Sequence, residues 1–168
     1  MNNTGFTPII PANPKILILG SMPSVKSLAA VEYYAHPQNV FWRIMASITG
    51  VAHDAEYKNR VAGVCSHQIA LWDVIQSCER PGSMDSNIVA SSIVVNDFNA
   101  LFSKYLGIKV IVLNGGKAFS LFERYVVKQG ILPEGIEYQQ LPSTSPAHAS
   151  ISFLEKRDAW LSCLRTII

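Results

Sequence analysis

Lys15-Ile-Leu-Ile-Leu-Gly20 runs directly into Gly20-Ser-Met-Pro-Ser24. The first stretch is apolar from Ile16 to Leu19 and ends on glycine. Continuous hydrophobicity without alternation fits a strand buried on both faces, as in a parallel sheet. Glycine then allows close backbone approach, and proline fixes a rigid turn. Small hydroxyls and free amides in such a turn suit an anion or a carbonyl. The plainer reading of the same residues is an ordinary strand-to-loop turn. Ser21 as a hydrolase nucleophile is disfavoured, because the nucleophile elbow needs Gly-x-Ser-x-Gly and this loop lacks it.

Three more segments repeat the pattern of an apolar run followed by an unusual loop. Ile69-Ala-Leu-Trp72 is a short strand, with Asp73 next. Lys109-Val-Ile-Val-Leu113 is dominated by β-branched residues and is the clearest strand in the chain. It leads into Asn114-Gly-Gly-Lys117. Tyr138–Leu141 is a weaker fourth strand, followed by Pro142-Ser-Thr-Ser-Pro-Ala-His148. Helices are predicted between them. Phe41, Ile44, Met45 and Ile48 recur at helical spacing behind Asn39, which reads as a cap, and Gly50 ends that helix. Further helices are predicted at Ala55–Ser66, Asp97–Leu106 and Lys117–Lys128. Ser152-x-x-Glu155 is a capping box opening a last helix that runs to about Arg165. Alternating strands and helices predict an α/β fold whose mainly parallel sheet is covered by helices on both faces. Ligands bind such sheets at the carboxyl ends of the strands. The four loops should therefore converge on one crevice.

The 168 residues suit one domain, with Met1–Pro14 as an extended, proline-rich lead-in. The hydrophobic fraction is 49% and the charged fraction 15%, which excludes a disordered chain. Net charge is only +2, so a nucleic-acid partner would have to be held by a local site. Cys65, Cys78 and Cys163 are scattered and form no Cys-x-x-Cys pair, so no metal site and no cofactor are expected. Met1–Pro14 carries no basic n-region and no long apolar core, so no signal peptide is expected, and no stretch approaches membrane-spanning length. A soluble, intracellular, cytoplasmic protein is expected, nucleoid-associated if bacterial, and monomeric.

Tyr33-Tyr-Ala-His-Pro-Gln-Asn-Val-Phe-Trp42 places five aromatic rings, counting His36, within ten residues. Exposed rings waste hydrophobic free energy, so the segment either lines a pocket or plugs a core. Phe41 and Trp42 read as core anchors. Tyr34 and Asn39 are harder to explain that way, since a buried Asn needs partners. The Pro142–His148 loop offers hydroxyls for phosphate oxygens and a histidine that can answer negative charge, or else is a solvated surface loop.

Gly20-Ser-Met-Pro-Ser24, Tyr34-Ala-His-Pro-Gln-Asn-Val-Phe-Trp42 and Leu141-Pro-Ser-Thr-Ser-Pro146 together resemble the uracil-DNA glycosylase superfamily. The middle segment is similar to mismatch-specific uracil/thymine glycosylases, and the whole pattern most resembles the hypoxanthine-DNA (deoxyinosine) glycosylase branch. The resemblance implies a three-layer α/β/α sandwich with a four-stranded parallel sheet, and one glycosylase domain across the chain. It implies base excision from DNA without a covalent enzyme intermediate, cofactor or metal. Most members carry a water-positioning Asp or Asn in the first loop, where this chain has Met22. In the hypoxanthine branch an Asn of the aromatic motif takes over, which is Asn39 here. Tyr34 matches the ring that stacks under the extruded base. Ser143 falls where many members have a His or Asn, and Pro146–His148 where others have a wedge.

The chemistry follows from the bond. The nucleotide must be flipped out of the duplex, at a cost of a few kcal/mol. Cleavage leaves an oxocarbenium-like sugar and an anionic base, so an oriented water and anion stabilisation are required. Asn39 is expected to hold the water and His148 to steady the leaving base. Gly20, Ser21, Met22, Tyr34, Trp72, Asn114 and Ser143 are expected to form the base pocket. Asp73 is an alternative acceptor for the base edge, although a structural cap or ion pair suits it better. Ser24, Lys117, Ser145, Pro146 and Ala147 are assigned to the DNA backbone or the wedge. The competing expectations are a G:U/G:T mismatch-specific uracil/thymine glycosylase, a catalytically silent nucleic-acid-binding module, and a Ser hydrolase, which would need an acid or base partner beside Ser21.

Overall fold

The computed structural model describes residues 2–168. Its elements in chain order are β1 (Asn2–Thr4), β2 (Ile16–Gly20), α1 (Val25–Ala30), α2 (Phe41–Thr49), α3 (Tyr57–Ser66), β3 (Ile69–Asp73), β4 (Ile75–Glu79), β5 (Val94–Val95), α4 (Phe98–Lys104), β6 (Val110–Asn114), α5 (Gly116–Phe122), β7 (Glu137–Leu141) and α6 (Phe153–Leu164). Four strands form one sheet in the order β3-β2-β6-β7, and every pairing in it is parallel.

The apolar runs explain the layers. Every residue of β2 and β3 is buried. Alternation along β2 sends Leu17 and Leu19 to one face and Ile16 and Ile18 to the other. The first face packs on Phe98, Leu101 and Phe102 of α4 and on Ala118, Leu121 and Phe122 of α5. The second packs on Phe41, Ile44 and Met45 of α2, Val64 of α3, and Trp160 and Leu164 of α6. This is the α/β/α sandwich that the strand–helix alternation predicts.

Local signals set most helix ends. Asp97 caps α4 by accepting from Ala100 N–H at 2.9 Å. The Ser152–Glu155 box is closed in both directions. Two helices are shorter than their periodicity: α4 stops at Lys104, and α5 gives way after Phe122 to a wider π-type turn over Glu123–Val127.

Residues 74–96 contain the main departure from the sequence reading. After β3 the chain continues into β4, which pairs antiparallel with β1 and β5 in a second, three-stranded sheet. The lead-in is therefore only partly free-standing, since its residues 2–4 are a strand and Ile9 bridges Leu71. Val74 N–H donates to Gly20 O at 2.9 Å and Ile75 N–H to Ser21 O at 3.0 Å. The second sheet thus fixes the backbone of the loop that leaves β2.

No helix among the described residues is long and apolar enough to cross a membrane.

Candidate active site

The loops after β2 and β7, the last residues of β3 and β6, and the segment after β4 converge on one cavity of about 310 Å3 at the carboxyl ends of the parallel strands. Its wall includes Gly20, Ser21, Met22, Tyr34, Asn39, Asn114, Ser143 and His148. Ser24, Ser145 and Ala147 also reach it. Lys117 and Pro146 do not line the cavity and are exposed, Lys117 at the start of α5 and Pro146 in the loop after β7.

Two glycines make the convergence possible. A Cβ on Gly20 would stand 2.6 Å from Asp73 Oδ1 and 3.5 Å from the Tyr34 hydroxyl. One on Gly115, which has a φ of 96°, would stand 2.8 Å from the Ser143 Cβ. A larger residue at Gly115 would push the loop after β7 away from the end of β6, and one at Gly20 would displace the Asp73 carboxyl.

The aromatic segment is stitched down along its length. Tyr33 and Trp42 are buried, and Trp42 Nε1 donates to Tyr33 O at 2.9 Å. Tyr33 N–H donates to the Tyr57 hydroxyl, and Ala35 N–H to Ser27 Oγ. Between them Tyr34 takes a left-handed backbone, φ 56°, which is unusual for a bulky residue and marks strain held by its surroundings. Its ring stacks on Phe41 with centroids 3.9 Å apart. Its hydroxyl is buried, has no well-formed hydrogen bond, and is held well above the usual phenol range by burial and by Asp73, with the Asn114 amide offsetting part of the rise.

Asn39 is not the helix cap itself. Val40 occupies that position, and Asn39 stands one residue earlier, its Oδ1 accepting from Phe41 N–H at 3.0 Å. Val40 N–H in turn donates to Thr144 O, tying the aromatic segment to the loop after β7. Asn114 has both ends of its amide on Thr144: Nδ2 donates to Thr144 Oγ1 and Oδ1 accepts from Thr144 N–H, each at 2.9 Å. It therefore holds the loop as well as lining the cavity.

Trp72 corrects the sequence reading. It packs on Phe98, donates Nε1–H to Phe6 O at 3.0 Å, and does not line the cavity. The two-residue period of a strand sends Trp72 into the core and leaves Asp73 to face the site. Asp73 is neither a cap nor an ion-pair partner. Its side chain is buried and its Oδ2 has no hydrogen-bond partner. Burial and the neighbouring Asp85 push its pKa up to about 8, while Arg80 pulls the other way.

Ser21 also has a partner that local sequence does not reveal. Its hydroxyl donates to Asp85 Oδ2 at 2.7 Å. Asp85 is itself raised by burial, an effect reduced by Ser21, Arg80 and Lys117. No imidazole completes a hydrolase relay at Ser21: the histidine on this cavity, His148, makes no hydrogen bond to it. Arg80 is buried, donates to Pro23 O at 2.6 Å, and leaves Nε and Nη1 unpartnered. It braces the loop after β2 from behind. Ser83, Met84 and Ser86 complete the far wall. The only sequence signal for that wall is the turn-rich Arg80-Pro-Gly-Ser-Met-Asp-Ser-Asn87 stretch.

The loop after β7 is held from below. Trp160 Nε1 donates to Pro142 O at 2.9 Å. Lys156, buried on α6, donates Nζ–H to Ser145 O at 3.2 Å and to His148 O at 2.5 Å. Lys156→Met keeps the stem packing and removes both bonds. It is expected to loosen residues 145–148 and weaken duplex binding about tenfold, with a smaller loss in the cleavage rate of bound DNA. Fluorescence-anisotropy titration beside single-turnover cleavage separates the two effects.

A parallel α/β/α sandwich with a small, half-polar pocket at its strand ends and a rigid hydroxyl-rich loop on the rim has the layout of an α/β DNA glycosylase. The chain belongs to the uracil DNA glycosylase superfamily, whose family model matches residues 7–164. It is 38% identical over 119 residues to a protein of Methanosarcina barkeri named hypoxanthine DNA glycosylase, covering 70% of this chain and 74% of that one. It is 35% identical over 153 residues to the Methanosarcina acetivorans protein of the same name, covering 90% and 92%. A solution NMR structure of a candidate uracil DNA glycosylase from Methanosarcina acetivorans superposes with a TM-score of 0.82 at 32% identity, covering 99% of both chains.

Proposed function

We propose that this chain is a monofunctional DNA glycosylase that flips hypoxanthine out of deoxyinosine-containing DNA and hydrolyses its N-glycosidic bond. The observation that carries the reading is that Met22 and Asn39 line the same pocket. Met22 has no group that can orient water, and Asn39 brings an amide to the same cavity. The similarity to two proteins named hypoxanthine DNA glycosylase supports the substrate. Asn39 Oδ1 has two lone pairs. One accepts from Phe41 N–H, which fixes the amide, and the second is free to accept from a water and turn its oxygen toward C1′. Asn is too weak a base to take the proton, so its effect is positioning. Tyr34 stacks under the base. His148, on the cavity wall, steadies the leaving base, while the Ser145–Ala147 segment fills the vacated space and Ser24 and Lys117 hold the DNA backbone. The domain acts as a monomer and needs neither metal nor cofactor.

The test is base release from duplexes carrying hypoxanthine, uracil, a G:T mismatch or xanthine, followed by alkaline strand cleavage. Hypoxanthine is expected to be released fastest. Efficient uracil release without hypoxanthine release would move the chain to the mismatch-specific uracil/thymine branch, and no release from any duplex would make it a silent binding module.

A further inference from the structure

The floor of the cavity holds a group that the water-positioning role does not use. Asp73 is the last residue of β3, is 4% exposed, and lines the cavity beside Tyr34. Its Oδ2 has no hydrogen-bond partner, and among the described residues no Lys, Arg or His is within ion-pair distance of its carboxyl. The groups that face it are few. Asp85, from the turn at Asp85–Asn87, brings a second carboxyl to the same cavity, with Lys117 acting on Asp85. Arg80, just after β4, is the cation that acts on Asp73, but its hydrogen bond goes to Pro23 O. Tyr34 supplies a phenol with no well-formed hydrogen bond. A carboxylate in this setting is unpaired and desolvated, whereas a neutral acid is tolerated.

We infer that Asp73 is a further catalytic residue, the hydrogen-bond donor that holds the carbonyl oxygen of the extruded base and steadies the charge the base acquires as it leaves. This rests on the glycosylase reading above. A neutral acid offers O–H to the base carbonyl and its own C=O to the adjoining ring N–H, so it matches both groups of a lactam edge. As C1′–N9 breaks, the bonding pair goes to the base and its charge spreads onto that oxygen. The bond from Asp73 strengthens at that moment, which is the differential stabilisation catalysis requires. The water oxygen ends on C1′, the proton that water releases neutralises the base, and the Asp73 proton remains on the carboxyl. An acid kept neutral by an apolar site to serve a developing oxyanion is a known device of enzymes. The raised pKa, about 8, agrees with it. Ionised Asp73 would instead oppose the leaving anion.

The experiment measures single-turnover hypoxanthine release from pH 6 to 10, and the thermal midpoint over the same range. For the wild type, the rate is expected to fall as pH rises through about 8. Asp73→Asn replaces the acid with a neutral donor and acceptor. It should stay within about tenfold of the wild type at pH 7, and its alkaline loss should disappear or move up by a pH unit or more. Asp73→Ala should lose about a hundredfold or more at pH 6–7, and its gap to the wild type should close as pH rises above about 8. The folded carboxyl binds its proton more tightly than the unfolded one. Its contribution to stability is therefore complete at acid pH and lost as pH rises through the folded value, so the Asn variant should gain on the wild type in Tm between pH 6 and 8. An inactive but folded Asp73→Asn, an unchanged alkaline limb in that variant, or a Tm difference that does not grow with pH would each overturn the assignment. A wild type that releases no hypoxanthine at any pH overturns the proposed function, and the role of Asp73 with it.

Discussion

Asn39→Ala is expected to lower single-turnover release of hypoxanthine by about 10²–10³-fold, while affinity for an abasic or uncleaved duplex changes only a few-fold. The expectation follows from what surrounds the amide. Met22, in the same cavity, offers no side-chain group that orients water, and the Asn114 amide is committed at both ends to Thr144. Removing the Asn39 amide leaves no uncommitted amide side chain on the cavity wall to orient water. The same substitution also removes the bond from Oδ1 to Phe41 N–H, at the first turn of α2. That structural loss is about 1 kcal/mol, as for a lost helix cap, and is too small to unfold the chain. The two effects are therefore separable. Asn39→Asp keeps an acceptor for Phe41 N–H and for the water, and should retain more activity than the Ala variant and a Tm closer to that of the wild type. Equal rates in the wild type and Asn39→Ala would remove Asn39 from the chemistry and return it to the role of a turn former.

What the sequence discloses here, and what it hides, divides along one physical line. Strands buried on both faces must be apolar throughout, so β2, β3 and β6 are visible as continuous runs, and sheet topology then places their loops at one end. The capping box at Ser152 is local and equally visible. The antiparallel sheet is not. Its strand β4 is buried only at Ile75 and Cys78, and β5 is two residues long, so neither leaves a periodic trace. Trp72 and Asp73 differ by a single step, which decides which of them meets the cavity, and composition cannot say which. The Ser21–Asp85 contact joins residues 64 positions apart. No local spacing encodes it, and with it goes the acidic character of the cavity floor.

Trp160→Ala is expected to be the more damaging change to the fold, because one side chain serves both the core and the site. Trp160 is fully buried, packs edge-to-face on Phe41 with centroids 6.1 Å apart, and joins the cluster that covers one face of the sheet. Truncating it should cost about 3–5 kcal/mol, through lost burial and the cavity left behind. Against a total stability of about 5–15 kcal/mol, that brings the chain near its limit and should lower Tm by roughly 10 °C. The indole also tethers the loop after β7 through its bond to Pro142 O, so the loss should appear in function too. Trp160→Phe separates the two roles. It refills most of the volume and keeps the ring contact with Phe41, but has no N–H. Its stability loss should be only about 1–3 kcal/mol, the cost of leaving the Pro142 carbonyl without its donor. Residues 143–148 would then be anchored by Lys156 and Asn114 without Trp160, so duplex binding should weaken more than single-turnover cleavage does. Calorimetry with both kinetic readouts tests this: a Phe variant with lowered Tm but wild-type DNA affinity would confine Trp160 to the core.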